Sequence, residues 1–169
     1  QAFKAATPGL GDRRFLLFLS RIHPKKGCDL LIEAFAKIAH AFPDIDLMVA
    51  GPDQTGMKED LKKVANDAGV SSRIHWPGML QGDAKWGAFR NADAFILPSH
   101  QENFGIVVAE AMACGIPVLI SNKVNIWREV EGSGSGIVEP DTAQGTLSLM
   151  ERFLALDAGA KAVMQNNAR

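Results

Sequence analysis

The sequence predicts a single α/β domain of the doubly wound type, with a mostly parallel sheet of six strands flanked by helices. Short runs of almost unbroken apolar residues alternate along the chain with segments whose apolar residues recur at helical spacing. Such alternation is typical of parallel strands that helices cover on both faces. The 169 residues, of which 47% are hydrophobic, suffice for one domain with one core.

The elements follow one another after an amino-terminal segment, residues 1–13, that shows no apolar periodicity and for which we predict a linker. The predicted strands are the apolar runs at residues 14–20, 46–51, 73–78, 94–99, 117–121 and 136–140. The predicted helices cover residues 29–42, 57–68, 82–92, 105–114, about 142–156 and 159–169, and Asp141 or Thr142 caps the penultimate one. The GSGSG stretch at residues 132–136 is predicted to be a flexible turn. We therefore assign residues 14–169 to one Rossmann-like domain.

Composition excludes several classes of function. The net charge of −1 argues against a broad basic surface of the kind that binds nucleic acid. Two cysteines, Cys28 and Cys114, stand far apart in apolar surroundings and indicate a reducing compartment without disulfides. No apolar run approaches the roughly 18 residues of a membrane-spanning helix, and no signal peptide is recognisable. We expect a cytoplasmic protein, and, since the chain begins at Gln1, a fragment of a longer one.

The loop after the first predicted strand, SRIHPKKG, is rich in cations. Arg21, His23, Lys25 and Lys26 crowd a single turn. Ligands of doubly wound sheets bind beyond the carboxyl ends of the strands, where this loop lies. Arginine and lysine there suit a phosphate or diphosphate. The alternative is a solvated surface loop, because charged turns are common.

The loops after the second and third predicted strands are weaker candidates. Gly51 and Gly56 allow close backbone approach, but the sequence favours a plain turn here. Met79 and Leu80 could line a flat pocket for a nucleobase, and they fit packing in the core or at its rim equally well.

The stretch HQENFGIVVAE, after the fourth predicted strand, places two glutamates around an apolar helix start. Free amides at a helix start favour an anion, and Gly105 leaves room for one. Glu102 precedes the helix, and its carboxylate suits the paired hydroxyls of a sugar. Glu110 lies inside the helix, where a charge needs a partner. That partner is either a cation in an ion pair or the hydroxyls of a ligand.

Other common site patterns are absent from the sequence. There is no G-x-G-x-x-G and no G-x-x-x-x-G-K-[ST]. The four histidines and two cysteines lack the spacing of metal ligands, so we expect neither a metal nor a cofactor. The DID at residues 44–46 resembles a D-x-D metal motif, but it precedes the second strand at the wrong edge of the sheet, and we interpret it as a polar turn.

Three stretches together resemble the carboxyl-terminal half of a family 4 retaining glycosyltransferase with the two-domain GT-B architecture. They are SRIHPKKG, ILPSHQENFGIVVAEAMACGIPVLIS and GIVEPD, within a resemblance that covers residues 14–157. The most specific signature is the pair of glutamates eight residues apart with F-G between them. The second is Arg21 followed five residues later by Lys26.

This resemblance implies that the chain binds a nucleotide-diphosphate sugar without a metal. It implies that Arg21 and Lys26 bind the donor diphosphate and that Glu102 holds hydroxyls of the donor sugar, and we assign these three to catalysis. It assigns Glu110 to the ribose hydroxyls. The further implied substrate contacts are the amides of Phe104 and Gly105, which help Glu102 at the sugar, those of Ile106 and Val107 at the phosphates, and the backbone of Gly78 and Met79 at the base.

The chain also departs from the family pattern. Ser20 stands where a glycine usually precedes the first cation, and the amino-terminal acceptor domain of the family is absent. We therefore expect an excised donor-binding domain that does not turn over alone, whose parent could associate with a membrane. A non-catalytic nucleotide- or phosphate-binding module of the same fold is the alternative.

Overall fold

A six-stranded parallel sheet forms the centre of the structure, a computed structural model that describes residues 2–102 and 105–168. The strands are β1 Arg14–Leu19, β2 Ile45–Ala50, β3 Ile74–Gly78, β4 Ala94–Leu97, β5 Val118–Ser121 and β6 Gly136–Glu139. Their spatial order is β3-β2-β1-β4-β5-β6, and every neighbouring pair is parallel. The predicted Rossmann-like, doubly wound fold is confirmed.

The central strands are apolar because they are buried on both faces. All six residues of β2 and all four of β4 and of β5 are buried. In β1, Leu16 pairs with Leu47 of β2 on one side and Ala94 of β4 on the other. Strand order reverses at β1, because the chain runs outward to β3 and then returns to β4. Such a reversal is the switch point at which doubly wound sheets bind ligands.

Eight helices in the described part of the chain cover this sheet. They are α1 Ala2–Ala6, α2 Cys28–Ile38, α3 Met57–Asp67, α4 Gly82–Asn91, α5 Ile106–Ala113, α6 Trp127–Ser133, α7 Ala143–Leu154 and α8 Ala158–Ala168. Helix α2 packs against α3 and α7, whereas α4 packs against α1. Right-handed crossovers place α2 and α3 on one face and α4 to α6 on the other. None of these described helices is both long and apolar enough to cross a membrane.

The amino-terminal segment differs from the plain linker expected for residues 1–13. Its residues 2–6 form α1, and Phe3 is buried with its ring centroid 5.5 Å from that of Phe15. A Cβ on Gly87 of α4 would lie 2.6 Å from the Cβ of Phe3, so the helices touch where α4 lacks a side chain. Phe3 and Leu10 are buried and anchor this segment to the core. Two isolated apolar residues are too few to produce a helical periodicity, so the sequence did not predict α1.

The sequence prediction missed α6. Its Val130 is fully buried, and Gly134 ends the helix with a left-handed φ of 69°. The GSGSG stretch predicted as a flexible turn is therefore partly helical, and Gly136 already belongs to β6. A seven-residue helix with a single fully buried residue gives almost no periodic signal. By contrast, Thr142 caps α7 as expected, accepting a hydrogen bond of 2.9 Å from the Gly145 amide.

Asp46 is a buried charge in β2 and not part of a polar turn. Its side chain is 1% exposed, and its oxygens lie 2.8 Å from both Arg13 Nε and His75 Nε2. Arg73 Nε lies 3.6 Å away. The cluster sits at the amino ends of the strands, as predicted for the DID stretch, where it joins the loop before β1 to β3. Asp46 therefore has a structural role.

Replacing Asp46 with asparagine should lower the free energy of unfolding by about 3 kcal/mol, because the substitution leaves the partly buried cations without their counter-charge. Urea denaturation followed by circular dichroism measures this. The matched control is Asp44→Asn, an exposed residue two positions earlier, which should change stability by less than about 0.5 kcal/mol. Equal effects of the two substitutions would contradict the assignment.

Candidate functional site

The loops that follow β1 and β4 meet at the switch point. The His100 amide donates to the Lys25 carbonyl at 2.8 Å, and the Ser99 hydroxyl donates to the same oxygen at 3.1 Å. Gly27 has a left-handed φ of 74°, and a Cβ there would lie 2.1 Å from the Pro98 carbonyl oxygen. Only glycine fits, so the two loops are held in direct backbone contact.

Within the β1 loop, residues 24–26 form a short 3-10 turn that turns Lys26 inward. His23 Nδ1 accepts a hydrogen bond of 3.0 Å from the Lys25 amide and caps the turn. Lys26 is buried, whereas Lys25 is exposed. The cations predicted as one cluster thus have different roles: His23 shapes the turn, and Lys26 points into the site.

Lys26 forms an ion pair with Glu102. The Lys26 Nζ lies 2.6 Å from Glu102 Oε1, and the two side chains are only 9% and 23% exposed. The residues are 76 positions apart, and the switch point brings them together. A buried ammonium needs such a partner. Two of the three residues assigned to catalysis therefore touch each other in this structure.

The backbone of Glu102 is fixed on both sides by the segment after β5. Its amide donates to the Lys123 carbonyl at 3.2 Å, and its carbonyl accepts from the Asn125 amide at 2.9 Å. Together these bonds form a short parallel bridge between Glu102 and Val124. The carboxylate of Glu102 therefore projects from a braced position.

Arg21 lies at the same edge of the sheet as Lys26, on the exposed outer side of its loop. Its Nη1 donates to Gln54 Oε1 at 3.2 Å, so the loop after β2 holds it. The sequence favours a plain turn for the loop after β2, whereas the structure shows that it contacts the loop after β1. A Cβ on Gly51 in that loop would lie 1.7 Å from the Ser20 carbonyl oxygen. Glycine at position 51 therefore permits close backbone contact where β1 and β2 end.

Helix α5 starts at the carboxyl end of β4. Gly105 precedes it with a left-handed φ of 61°, and a Cβ there would lie 3.2 Å from Ile126 Cγ1. The amides of Ile106 and Val107 belong to the first turn, where the helix itself offers no acceptor. Ile106 is 66% exposed, so this turn faces solvent. Phe104, also predicted to contribute here, lies outside the described residues.

Glu110 is paired with Lys85 of α4. The Lys85 Nζ lies 2.8 Å from Glu110 Oε2, with side-chain exposures of 26% and 22%. The Lys85 ammonium also lies 5.1 Å from the centroid of the Trp86 ring. Glu110 therefore has a cation as its partner in this structure, and both side chains of the pair are partly exposed. Lys85 was not predicted, because no local pattern joins residues 25 positions apart on different helices.

The two apolar residues in the loop after β3, Met79 and Leu80, differ in their exposure to solvent. Met79 is 57% exposed, whereas Leu80 is 6% exposed and belongs to the core. Gly78 adopts a left-handed φ of 79°, and its carbonyl accepts a hydrogen bond of 2.9 Å from the Gly51 amide. Gly78 and Met79 thus stand at the carboxyl edge of the sheet, two strands from Lys26.

Neither a nucleophilic cysteine nor a clear metal site emerges among the described residues. Burial raises the pKa of the Cys28 thiol to about 11, so this residue behind the β1 loop stays protonated at neutral pH. No three His, Cys, Asp or Glu side chains come close enough within residues 2–102 and 105–168 to hold a metal ion. Independence from metal remains a prediction.

A cavity of the molecule lies away from these residues, at the amino end of β1. Phe3, Thr7, Leu10, Arg14 and Asp93 are among its lining residues, so the amino-terminal segment itself closes it. The predicted site is instead an open surface of loops at the carboxyl edge.

Comparison with known proteins assigns a family. The family model described as "Glycosyl transferases group 1" matches residues 2–169. A relative from Methanocaldococcus jannaschii, named an uncharacterized glycosyltransferase (MJ1607), is 31% identical over 159 residues, which cover 94% of this chain. This chain spans 40% of the length of that relative.

Solved structures show the same fold. The C-terminal domain of a group 1 family glycosyl transferase (LpcC) from Francisella tularensis is similar with a TM-score of 0.82 and 22% identity. The similarity covers 92% of this chain and 82% of that one. The Anabaena protein Alr3699/HepE, solved in complex with UDP and glucose, is similar with a TM-score of 0.83 and 23% identity, covering 99% of this chain and 46% of that one.

Proposed function

Because the chain belongs to the group 1 family of glycosyl transferases, we propose that it is the donor-binding domain of a retaining enzyme of family 4. Such an enzyme transfers a sugar from a nucleotide-diphosphate sugar to a saccharide or lipid-linked acceptor. The observation that carries the proposal is the Lys26–Glu102 pair, 2.6 Å apart where the β1 and β4 loops meet. A cation for phosphate and a carboxylate for hydroxyls stand side by side there, as a sugar diphosphate requires.

The donor would extend along the carboxyl edge of the sheet. Lys26, together with Arg21 from the outer side of the same loop, would bind the diphosphate with the amides of Ile106 and Val107 at the start of α5. Glu102 would accept hydrogen bonds from the sugar. The ribose would lie over Glu110, and the base would lie near Gly78 and Met79. The Anabaena structure, which contains UDP and glucose, supports this class of ligand.

The chemistry proposed for these groups is stabilisation of the departing diphosphate. Negative charge builds up on the leaving phosphate as the bond to the anomeric carbon breaks. The Lys26 ammonium, once it exchanges part of its contact with Glu102 for the phosphate, and the first amides of α5 would stabilise this charge. We propose that this arrangement acts without a metal ion and with retention at the anomeric carbon.

The acceptor would be bound by a second domain. The open carboxyl edge of the sheet and the 40% share of the Methanocaldococcus relative that this chain spans support this part of the proposal. The two free cysteines, Cys28 and Cys114, are in keeping with the cytoplasmic location that we propose for the protein. Peripheral association of the longer protein with the inner face of a membrane would fit a lipid-linked acceptor.

Titration of the 169-residue chain with UDP, GDP and ADP, followed by amide chemical shifts in NMR, tests donor binding. We expect at least one of them to bind, and Glu110→Ala to weaken it about tenfold, because the ribose would lose its hydroxyl acceptor. The matched control is Glu129→Ala on α6, an exposed glutamate, which should leave affinity unchanged.

Three results would each contradict a part of the proposal. Absence of binding by all three nucleotides would refute donor binding. Unchanged nucleotide affinity in Glu110→Ala, with lowered thermal stability, would show that Glu110 serves only the ion pair with Lys85. If nucleotide sugars bind no more tightly than the corresponding nucleotide diphosphates, the alternative of a non-catalytic nucleotide-binding module would be favoured.

A further inference from the structure

The carboxyl ends of three consecutive strands each place one side chain in a cluster beside Glu102. His100 follows β4, Lys123 follows β5 and Asp141 follows β6. Asp141 Oδ2 lies 2.7 Å from His100 Nδ1, and Asp141 Oδ1 lies 3.5 Å from Lys123 Nζ. The two carboxylate oxygens of Asp141 therefore contact residues of two different loops. The Asp141 side chain is only 19% exposed.

Asp141 is ionised in this position. Burial alone would raise the pKa of its carboxyl, but the hydrogen bond from His100 and the nearby Lys123 ammonium outweigh burial and lower the pKa below its usual value. Since a carboxylate only accepts, the shared proton sits on His100 Nδ1. The contact is thus a charge-assisted hydrogen bond, which is stronger than a neutral one.

The two residues that Asp141 holds are also attached to Glu102 and its partner. The Lys123 carbonyl accepts the Glu102 amide at 3.2 Å, and the His100 amide donates to the Lys25 carbonyl at 2.8 Å. Lys25 directly precedes Lys26, whose ammonium pairs with Glu102. One carboxylate therefore braces both the backbone of Glu102 and the loop that carries its counter-ion.

We propose that Asp141 is a positioning residue that fixes Glu102 through His100 and Lys123. By doing so, it determines how much the sugar of the donor adds to the affinity for the nucleotide. The second half of this inference rests on the proposed function. Asp141 would not touch the nucleotide, because its two oxygens are engaged by the neighbouring loops. Its loss should misplace the sugar end of the site and leave the nucleotide end intact.

Glu139 provides a matched control two residues earlier. Its side chain is 21% exposed and pairs with Arg152 at 2.8 Å, close to the burial and pairing of Asp141. The Glu139 carboxylate also binds the Ser148 hydroxyl at 2.7 Å. Its side-chain contacts thus lie on α7 and not on the Glu102 loop. A general loss of stability should therefore be similar in Glu139→Gln and Asp141→Asn.

Amide hydrogen exchange of the 169-residue chain tests the positioning directly. In Asp141→Asn we expect the Glu102 and Asn125 amides, which form the bridge after β5, to exchange about tenfold faster. In Glu139→Gln they should exchange at the wild-type rate. Unchanged exchange in Asp141→Asn, or equal acceleration in both variants, overturns the proposal. If Asp141→Asn does not fold, Lys123→Met, which removes one arm of the cluster at a half-exposed residue, is measured in its place.

Affinity measurements test the consequence for the donor. Asp141→Asn should weaken binding of UDP-glucose about tenfold and binding of UDP less than about twofold, and the same comparison is made with GDP and GDP-mannose. Equal weakening of nucleotide and nucleotide sugar overturns the sugar-dependent role. If the wild-type chain binds none of these ligands, the proposed function fails, and the exchange rates still decide whether Asp141 positions Glu102.

Discussion

Replacing Gly27 with alanine should lower the free energy of unfolding by about 4 kcal/mol, among the larger effects expected of a single substitution. The new Cβ would lie 2.1 Å from the Pro98 carbonyl oxygen, a distance that forces the β1 and β4 loops apart. The left-handed φ of 74° adds a cost of about 1 kcal/mol for any residue with a side chain. Urea denaturation provides the measurement.

Gly56 is the control that separates these two costs. It precedes α3 as Gly27 precedes α2, with a φ of 78°, but a Cβ there would have nothing within 4 Å. Gly56→Ala should therefore lower the free energy of unfolding by only about 1 kcal/mol, the cost of a side chain at a left-handed φ. If both substitutions lower the free energy of unfolding equally, the close contact with Pro98 is not the reason for glycine at position 27.

Replacing Lys26 with methionine should weaken binding of a nucleotide diphosphate about 100-fold. The substitution removes the buried ammonium assigned to the diphosphate and leaves the Glu102 carboxylate, 23% exposed, without its counter-charge beside the incoming phosphates. Methionine keeps the length and most of the volume of the lysine side chain, so loss of charge is the main change. Isothermal titration or NMR titration with UDP and GDP measures the effect.

Lys25→Met is the matched control for this substitution. Lys25 is the adjacent residue in the same turn and carries the same charge, but its side chain is exposed. We expect its replacement to weaken binding less than about threefold, because an exposed charge contributes mainly through screened, long-range attraction. Equal losses in both variants would mean that the loop acts only through its total positive charge.

The sequence was sufficient to predict the sheet and the elements that carry the site. Short apolar runs such as Phe15–Phe18, alternating with segments of helical periodicity, favour strands buried on both faces, and the order of strands and helices then leaves few topologies. The elements it did not predict, α1 and α6, are short, and their burial rests on Phe3 and Val130, respectively. Tertiary contact, not periodicity, makes them helical.

The sequence indicated the residues of the candidate site but not their partners in the fold. Arg21, Lys26, Glu102 and Glu110 stand in local patterns whose chemistry can be recognised along the chain. Lys85 meets Glu110 only because α4 and α5 are adjacent in space. Asp141 likewise reaches the Glu102 loop only through the parallel alignment of β4, β5 and β6. Such pairings depend on side-chain position in the folded chain, which no spacing in the sequence encodes.

The two ion pairs of the candidate site have a consequence for selectivity. Lys26 and Lys85 are both already bound to a glutamate, so an entering anion must compete with a carboxylate for each cation. Inorganic phosphate or pyrophosphate offers the displaced carboxylates only more negative charge. In the proposed binding mode, a nucleotide sugar instead brings hydroxyl donors for them, from the sugar at Glu102 and from the ribose at Glu110. Such a site would discriminate against small inorganic anions, which are abundant competitors in a cell, without any steric barrier.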